Sequence, residues 1–426
     1  MMQLSLDDAE VSPEQSGSII DRLKLSWSVQ KLSRQFWIFF IAAFLFDFGF
    51  GLFFFLFNLF LANSQFNERS IGYINSALTL GNVCATIPVS ILVRRHGLQK
   101  LLLICFLFLP ALSIARTVFL PFGAQLVMSF LSGVALSIWP VCFAPSVAKL
   151  TTDRNRVFAF SISFATGIGT GTLAGLVGGW APDLLKSNYH SISSVGGIRM
   201  VLIGASLLTM LAIVPILKLD LGRPAALEDR RLFAFHPYLY KFLPGFAIWS
   251  FVSGSFIPFA PIYFQKHLGL SLSNVGLIFS SSQLAQVCAV LLVPFLYRKT
   301  GAGVGIASTQ VAACLAILTL GASHATSSAI LSYLIFTAVQ FSAGPGFYGL
   351  LMGSVPESER SSASAAQNLI GSLSQAGSAA LTGTLIVRQG YGSVFHANAA
   401  LALLAALVVL AFLGYRRGVQ LPNCAQ

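Results

Sequence analysis

Asp47 is the one acidic residue that the sequence sets in the middle of a long apolar run; every other carboxylate falls in a tail, a loop or the end of such a run. Counted from Phe36 at about 1.5 Å per helical residue, it lies about 16 Å deep, half of a ~30 Å hydrocarbon layer. A carboxylate there costs about 2.5 kcal/mol or more on insertion scales, so it must face a cavity or a partner. Low-dielectric surroundings favour the neutral form of any carboxyl group, which gives such a residue the chemistry of proton uptake and release. At 100° per residue Asp47, Gly51, Phe54 and Asn58 share a narrow stripe, while Phe46, Phe53, Phe57 and Phe60 lie elsewhere on the helix. The stripe is expected to face a central cavity. The competing reading is a protonated Asp47 bonded permanently to a neighbouring helix.

The other polar residues inside apolar runs are neutral and mostly amides: Asn82, Gln283, Gln286, Gln340, Gln367, Asn368 and Gln375. These can hydrogen-bond a neutral solute, and Trp139, Trp249, Tyr333 and Tyr348 can stack on it or on a cation. For any single amide, an interhelical hydrogen bond is the plainer explanation; as a set they outline a polar cavity. No Lys, Arg or His falls near mid-depth, since Arg116 and Arg199 sit near the outer ends of their runs. A phosphate or carboxylate deep in the cavity would therefore lack a positive partner. There is no P-loop, no metal-ligand spacing and no nucleophile with a nearby base. Cys84, Cys105, Cys142, Cys288 and Cys314 lie inside apolar runs without close pairing, and Cys424 is in the tail, so neither a disulfide framework nor a metal site is expected. The chain reads as a non-enzyme without cofactors.

The elements that must position these residues follow from composition. The chain is 55% hydrophobic and 9% charged, against about 25% charged in soluble domains, which makes it a polytopic, all-α membrane protein. Runs of about 20 apolar residues fall near 36–62, 70–92, 98–118, 122–148, 157–181 and 194–217. Six more follow near 243–265, 273–296, 303–322, 327–352, 362–387 and 393–414, so 12 transmembrane helices are expected. The formal charge of +12 does not point to nucleic acid, because the basic residues follow the alternation of the loops. Of the 26 Lys and Arg residues, only Arg69, Arg116, Lys186, Arg199, Lys266 and Arg388 fall on the side opposite the termini. That asymmetry places both termini in the cytoplasm. Residues 1–35 form an N-terminal tail without signal-peptide character, in which Ile20, Leu23 and Trp27 mark an amphipathic surface segment. Residues 36–219 form one bundle, 220–241 a charged linker, 242–415 a second bundle, and 416–426 a short C-terminal tail. In span seven Gly254, Pro258 and Pro261 are expected to bend the helix.

The halves repeat. An ungapped offset of 204 residues brings Gly72 onto Gly276, Ser76 onto Ser280, Cys84 onto Cys288, Arg94 onto Arg298, Gly97 onto Gly301, Arg156 onto Arg360, Gly167 onto Gly371 and Gly179 onto Gly383. Asn82 meets Gln286 at the same offset. Repeats of this size in an apolar chain are how secondary transporters are built.

Twelve spans in two pseudo-symmetric six-helix bundles, with a charged central loop, resemble the major facilitator superfamily over residues 36–415. The family's G-x-x-x-D-[RK]-x-G-x-[RK]-[RK] loop corresponds to Ser90–Lys100, where Arg95, Gly97 and Lys100 fit. Ser90, Arg94 and Gln99 depart from it. Arg298, Lys299 and Gly301 form its basic repeat copy, also without the acid, so the family's aspartate latch is missing at Arg94. Asp153, Arg154 and Arg156, with their copy at Glu357, Glu359 and Arg360, resemble a second gating loop, although acids beside a helix N-terminus are favourable in any case. Gly171 and Gly175 match part of the family's antiporter pattern in span five, but Leu176 stands at its proline; close packing by small residues is the simpler account. The resemblance implies alternating access, with Asp47 in the role of a span-one proton carrier. The expected function is proton-coupled export of a small neutral or cationic compound by a monomer in the plasma membrane, the inner membrane of a bacterium. Proton-coupled uptake of a sugar-like nutrient fits the amides nearly as well, and a non-transporting receptor is the reading from another class.

Overall fold

The structure is a computed structural model describing residues 32–152, 155–188, 193–221, 236–356 and 359–413. Residues 1–31 of the N-terminal tail, the whole C-terminal tail, most of the linker, and Asp153, Arg154 and Glu357 lie outside the described residues.

Among the described residues, eleven helices are long and apolar enough to cross a bilayer. They are α1 (Arg34–Asn63), α2 (Glu68–His96), α3 (Leu98–Val118), α4 (Phe122–Leu150), α5 (Arg156–Asn188) and α6 (Ser194–Leu217) in the first half. In the second half are α7 (Tyr238–His267), α8 (Leu272–Thr300), α9 (Ala302–Gly321), α10 (Thr326–Ser354) and α11 (Arg360–Leu413). Their starts are written locally. Ser33, Asn67, Ser193 and Ser271 each accept a backbone N–H from the first turn of α1, α2, α6 and α8, satisfying donors that a helix start leaves unpaired. Gly97 and Gly301 sit at equivalent junctions, α2 to α3 and α8 to α9, with φ of 88° and 81°. Only glycine adopts that conformation at little steric cost.

The expected spans 362–387 and 393–414 form one run of 54 residues, interrupted at Gly390 with φ 81° and ψ 176°. A straight helix of that length would measure about 81 Å, far more than a ~30 Å hydrocarbon layer. The run folds back instead. A β-carbon added at Gly371 meets the Phe246 ring at 2.9 Å, and one added at Gly245 meets Val409 at 3.1 Å. Residues from both sides of Gly390 thus lie at one level of α7, as two antiparallel limbs. Span seven bends as expected: α7 passes through a 3₁₀ turn at Ile257–Phe259 and ends in a π-helical turn at Tyr263–His267.

Two of the interfaces between the halves match each other. In one, α2 packs on α11: Ser76 Oγ donates to the Ala376 carbonyl at 2.6 Å, and a β-carbon at Gly72 would meet the Cα of Gly383 at 3.4 Å. In the other, α8 packs on α5: Ser280 Oγ donates to the Thr172 carbonyl at 2.7 Å, and a β-carbon at Gly276 would meet the Cα of Gly179 at 2.8 Å. These contacts lie toward the end where α1 meets α2. Toward the opposite end the same faces stand apart. Phe164, two turns along α5 from Gly171 on the same face, is 65% exposed, and Leu291 on α8 is 68% exposed. A β-carbon at Gly167 would meet nothing within 4 Å. The result is a cleft closed at one end and open at the end that carries Arg94 and Arg298.

Candidate functional site

The site begins at a break in α4. Pro140 has no N–H to give the Leu136 carbonyl and its ring crowds that position, so the helix stops at Leu136 and restarts at Ile138. Trp139 stands at the restart. Its indole, which can only donate, stands beside the Asp47 carboxyl. The Trp139 ring lies 4.6 Å from Phe46, 5.6 Å from Phe106 and 5.3 Å from Phe143. From Phe143 the row continues to Phe160 at 6.5 Å and Phe164 at 6.4 Å. A line of aromatic faces therefore joins the half-buried Asp47 to the exposed Phe164 in the cleft.

The rest of the α1 stripe leads to the closed end. Gly51 packs on Ala174 of α5 at 3.4 Å from an added β-carbon, and Phe54 is 45% exposed. Asn58 is buried; its Nδ2 donates to the Pro258 carbonyl at 2.9 Å, and its Oδ1 accepts from Asn75 Nδ2 at 3.1 Å. Asn58 thus ties α1 to α7 and α2. Beside it Asn63 donates to Gln265 Oε1 at 3.1 Å, and Lys266 Nζ donates to the Ala62 carbonyl. Asn75 and Gln265 were not singled out from sequence, and Lys266 was read only as a basic residue of the side opposite the termini; an asparagine inside an apolar span, as Asn75 is, was the available signal.

The amides divide. Gln283 turns its Nε2 toward Gly171, 3.0 Å from where a β-carbon would stand, one turn beyond Ser280 toward the open end. Asn82 lies seven residues from Asn75 on one face of α2, and both it and Gln286 are half-buried. Asn368 is exposed and accepts from Tyr348 Oη at 3.2 Å; Gln375 is exposed beside Gly254. By contrast Trp249, Tyr333, Gln340 and Gln367 are buried within the second half. Tyr333 packs edge-on against Phe264 at 5.1 Å, and Gln367 has no hydrogen-bond partner for either amide atom.

At the open end Arg94, Arg95 and Arg298 are exposed, and the Arg298 guanidinium lies 4.8 Å from the Phe295 ring centre. Arg156 starts α5, and Arg360 Nε donates back to the Met352 carbonyl at 3.1 Å. Gln99, where the family pattern has a basic residue, donates to the carbonyls of Ile216 at 3.0 Å and Leu219 at 2.6 Å. Lys149 Nζ donates to Leu221 at 3.0 Å. These bonds close the C-terminal end of α6, where the Ile216 carbonyl also accepts from the Leu219 N–H at 3.1 Å. Among the described residues no cluster of three or more His, Cys, Asp or Glu is arranged to hold a metal ion.

The sequence model of the Major Facilitator Superfamily matches residues 39–379. The chain belongs to this superfamily. It is an integral membrane protein and a transporter, not an enzyme. No curated protein matches the chain. Among solved structures, this superfamily member is similar to the nucleoside transporter NupG, with a TM-score of 0.73 at 16% identity over 90% of this chain and 100% of that one. It is also similar to the xylose transporter XylE from E. coli in an inward open conformation, with a TM-score of 0.71 at 14% identity over 89% and 95% of the two chains. A bacterial homologue of the iron transporter ferroportin in an inward-facing state gives 0.70 at 14% identity over 90% and 99%. At these identities the likeness is one of fold, and family membership as a transporter displaces the receptor reading.

Proposed function

We propose that this chain moves a small organic solute by alternating access, with proton movement coupled through Asp47. The observation that carries the proposal is the position of Asp47: an acid at mid-depth, beside Trp139, at the head of an aromatic row that opens into a cleft closed at one end. In this reading the two limbs of α11 are separate spans, making twelve. The open end, with Arg94, Arg95, Arg298 and Lys299, is cytoplasmic by its charge, as are both termini, and the chain works as a monomer in the plasma membrane, the inner membrane of a bacterium.

An ionised carboxylate is costly to carry across the bilayer centre and a neutral one is not. Asp47 therefore links reorientation to the loss of its charge, either by protonation or by pairing with a cationic solute. Aromatic faces attract cations as well as flat apolar groups, which supports export of a neutral or cationic amphipathic compound. The second reading, proton-coupled uptake of a sugar-like solute, rests on Gln283, Asn82 and Gln286 along the cleft.

Solute-driven proton movement tests the proposal. Purified protein in liposomes with an entrapped pH-sensitive dye is expected to move protons when an amine or sugar that raises its Tm is added. Solute flux without proton movement would remove the coupling, and binding without flux would remove transport.

A further inference from the structure

Arg116 is a cation buried in the first half and not engaged by the site above. It lies two residues from the end of α3 and is 4% exposed. Its guanidinium carbon sits 4.0 Å from the centre of the Phe57 ring and 5.8 Å from that of Phe53. Stacking of this kind uses the face of the guanidinium and leaves its N–H donors pointing outward in the plane. Nε has no hydrogen-bond partner. The backbone around it is clamped: the wholly buried Gln125 of α4 donates to the carbonyls of Arg116 at 2.6 Å and Phe119 at 2.7 Å. Ser129, one turn deeper on the Gln125 face, is also buried and its hydroxyl is unpartnered.

Arg199 of α6 repeats the pattern one step along α1. Its guanidinium carbon is 5.6 Å from the centre of Phe60, whose ring is 6.3 Å from Phe57, and its Nε is buried and unpartnered. A buried charge is tolerated when paired and hydrogen-bonded, and leaving one unpaired is strongly destabilising. A planar, pre-stacked guanidinium with a free in-plane edge matches an oxyanion, which it binds through two parallel N–H bonds.

We propose that Arg116, assisted by Arg199 and seated on Phe57 and Phe60, binds a phosphate-type oxyanion at the closed end of the first bundle. Arg116 lies within about 3 Å of the end of its helix at 1.5 Å per residue. That depth is within reach of a lipid headgroup phosphate and of free phosphate entering from the aqueous side. This site is separate from the Asp47 row and does not depend on the coupling proposed above.

The test is thermal unfolding of the full-length protein in neutral detergent. The additions are inorganic phosphate, phosphatidylglycerol or, as the control for a zwitterionic headgroup, phosphatidylcholine. Phosphate or phosphatidylglycerol is expected to raise the Tm of the wild type and of Arg94→Gln/Arg298→Gln. Arg116→Gln is expected to weaken the apparent affinity about tenfold or more. A response to phosphatidylglycerol alone assigns the anion to lipid, and one to both assigns it to the phosphate group as such. Where Arg116→Gln does not fold, Arg116→Lys keeps the charge but loses the two-bond edge, and the same weakening is expected. An unresponsive wild type, or a full response in both Arg116 variants, overturns the proposal.

Discussion

Ser76 and Ser280, 204 residues apart, make the same hydrogen bond in two matching interfaces between the halves. Ser76 donates to Ala376 at 2.6 Å and Ser280 donates to Thr172 at 2.7 Å, and the two acceptors are themselves 204 residues apart. The glycines follow the same relation: Gly72 against Gly383 corresponds to Gly276 against Gly179. Small residues let these backbones approach closely, and each face runs on past the contact into the open cleft. Closing the open end by rocking one bundle on the other must loosen both interfaces together.

Adding a methyl group in either interface should bias that equilibrium. Gly276→Ala places its β-carbon 2.8 Å from the Cα of Gly179, where backbone rather than a flexible side chain must move. Overpacking of about 1–3 kcal/mol should lower the transport rate about 5-fold to 100-fold and raise hydrogen exchange at the outer halves of α5 and α8. Gly167→Ala, with open space around it, should stay within about twofold of wild type, since the new methyl overpacks nothing. Equal rates for the two variants would contradict the interface.

Asn58→Leu removes the bond to the Pro258 carbonyl and the one from Asn75, which keeps only its bond to the Ile71 carbonyl at 2.9 Å. Interhelical polar bonds in membranes are worth about 0.6–1.7 kcal/mol, so amide exchange around residues 256–265 should speed up about 3-fold to 20-fold. Unchanged exchange there would show that Asn58 does not hold the closed end.

Gln99→Ala should act on stability alone. It removes the side-chain bonds to Ile216 and Leu219, leaving the Ile216 carbonyl only the Leu219 N–H, at a cost of about 1 kcal/mol per net bond. A lower Tm with an unchanged rate per folded molecule is expected. Loss of rate without loss of Tm would make Gln99 part of the gate.

Much of this was legible in the sequence. Apolar length marked the spans, positive φ was readable at Gly97 and Gly301 because glycine follows a basic helix end, and the 204-residue offset showed the repeat. What those repeated glycines touch was not legible, because an offset gives equivalence but not partners. Gln367 and Gln283 look alike in sequence, yet one is buried among its own helices and the other turns toward Gly171. Helix phase is fixed by residue spacing, but helix tilt, which decides whether a polar face meets a cavity or a neighbour, is not. The reversal between 387 and 393 was expected from the break in the apolar runs, but that it turns through the single residue Gly390 was not.

Accumulation driven by an imposed pH gradient in liposomes, compared between wild type and Asp47→Asn, tests the central claim most directly. The amide preserves shape and removes the titrating group. The variant is expected to fold and insert, to lose gradient-driven accumulation, and to bind solute with no pH dependence. Because a cationic solute would also bind the amide less tightly, accumulation is read at saturating solute. Undiminished gradient-driven accumulation by Asp47→Asn would contradict the account and leave Asp47 a permanently protonated partner of Trp139.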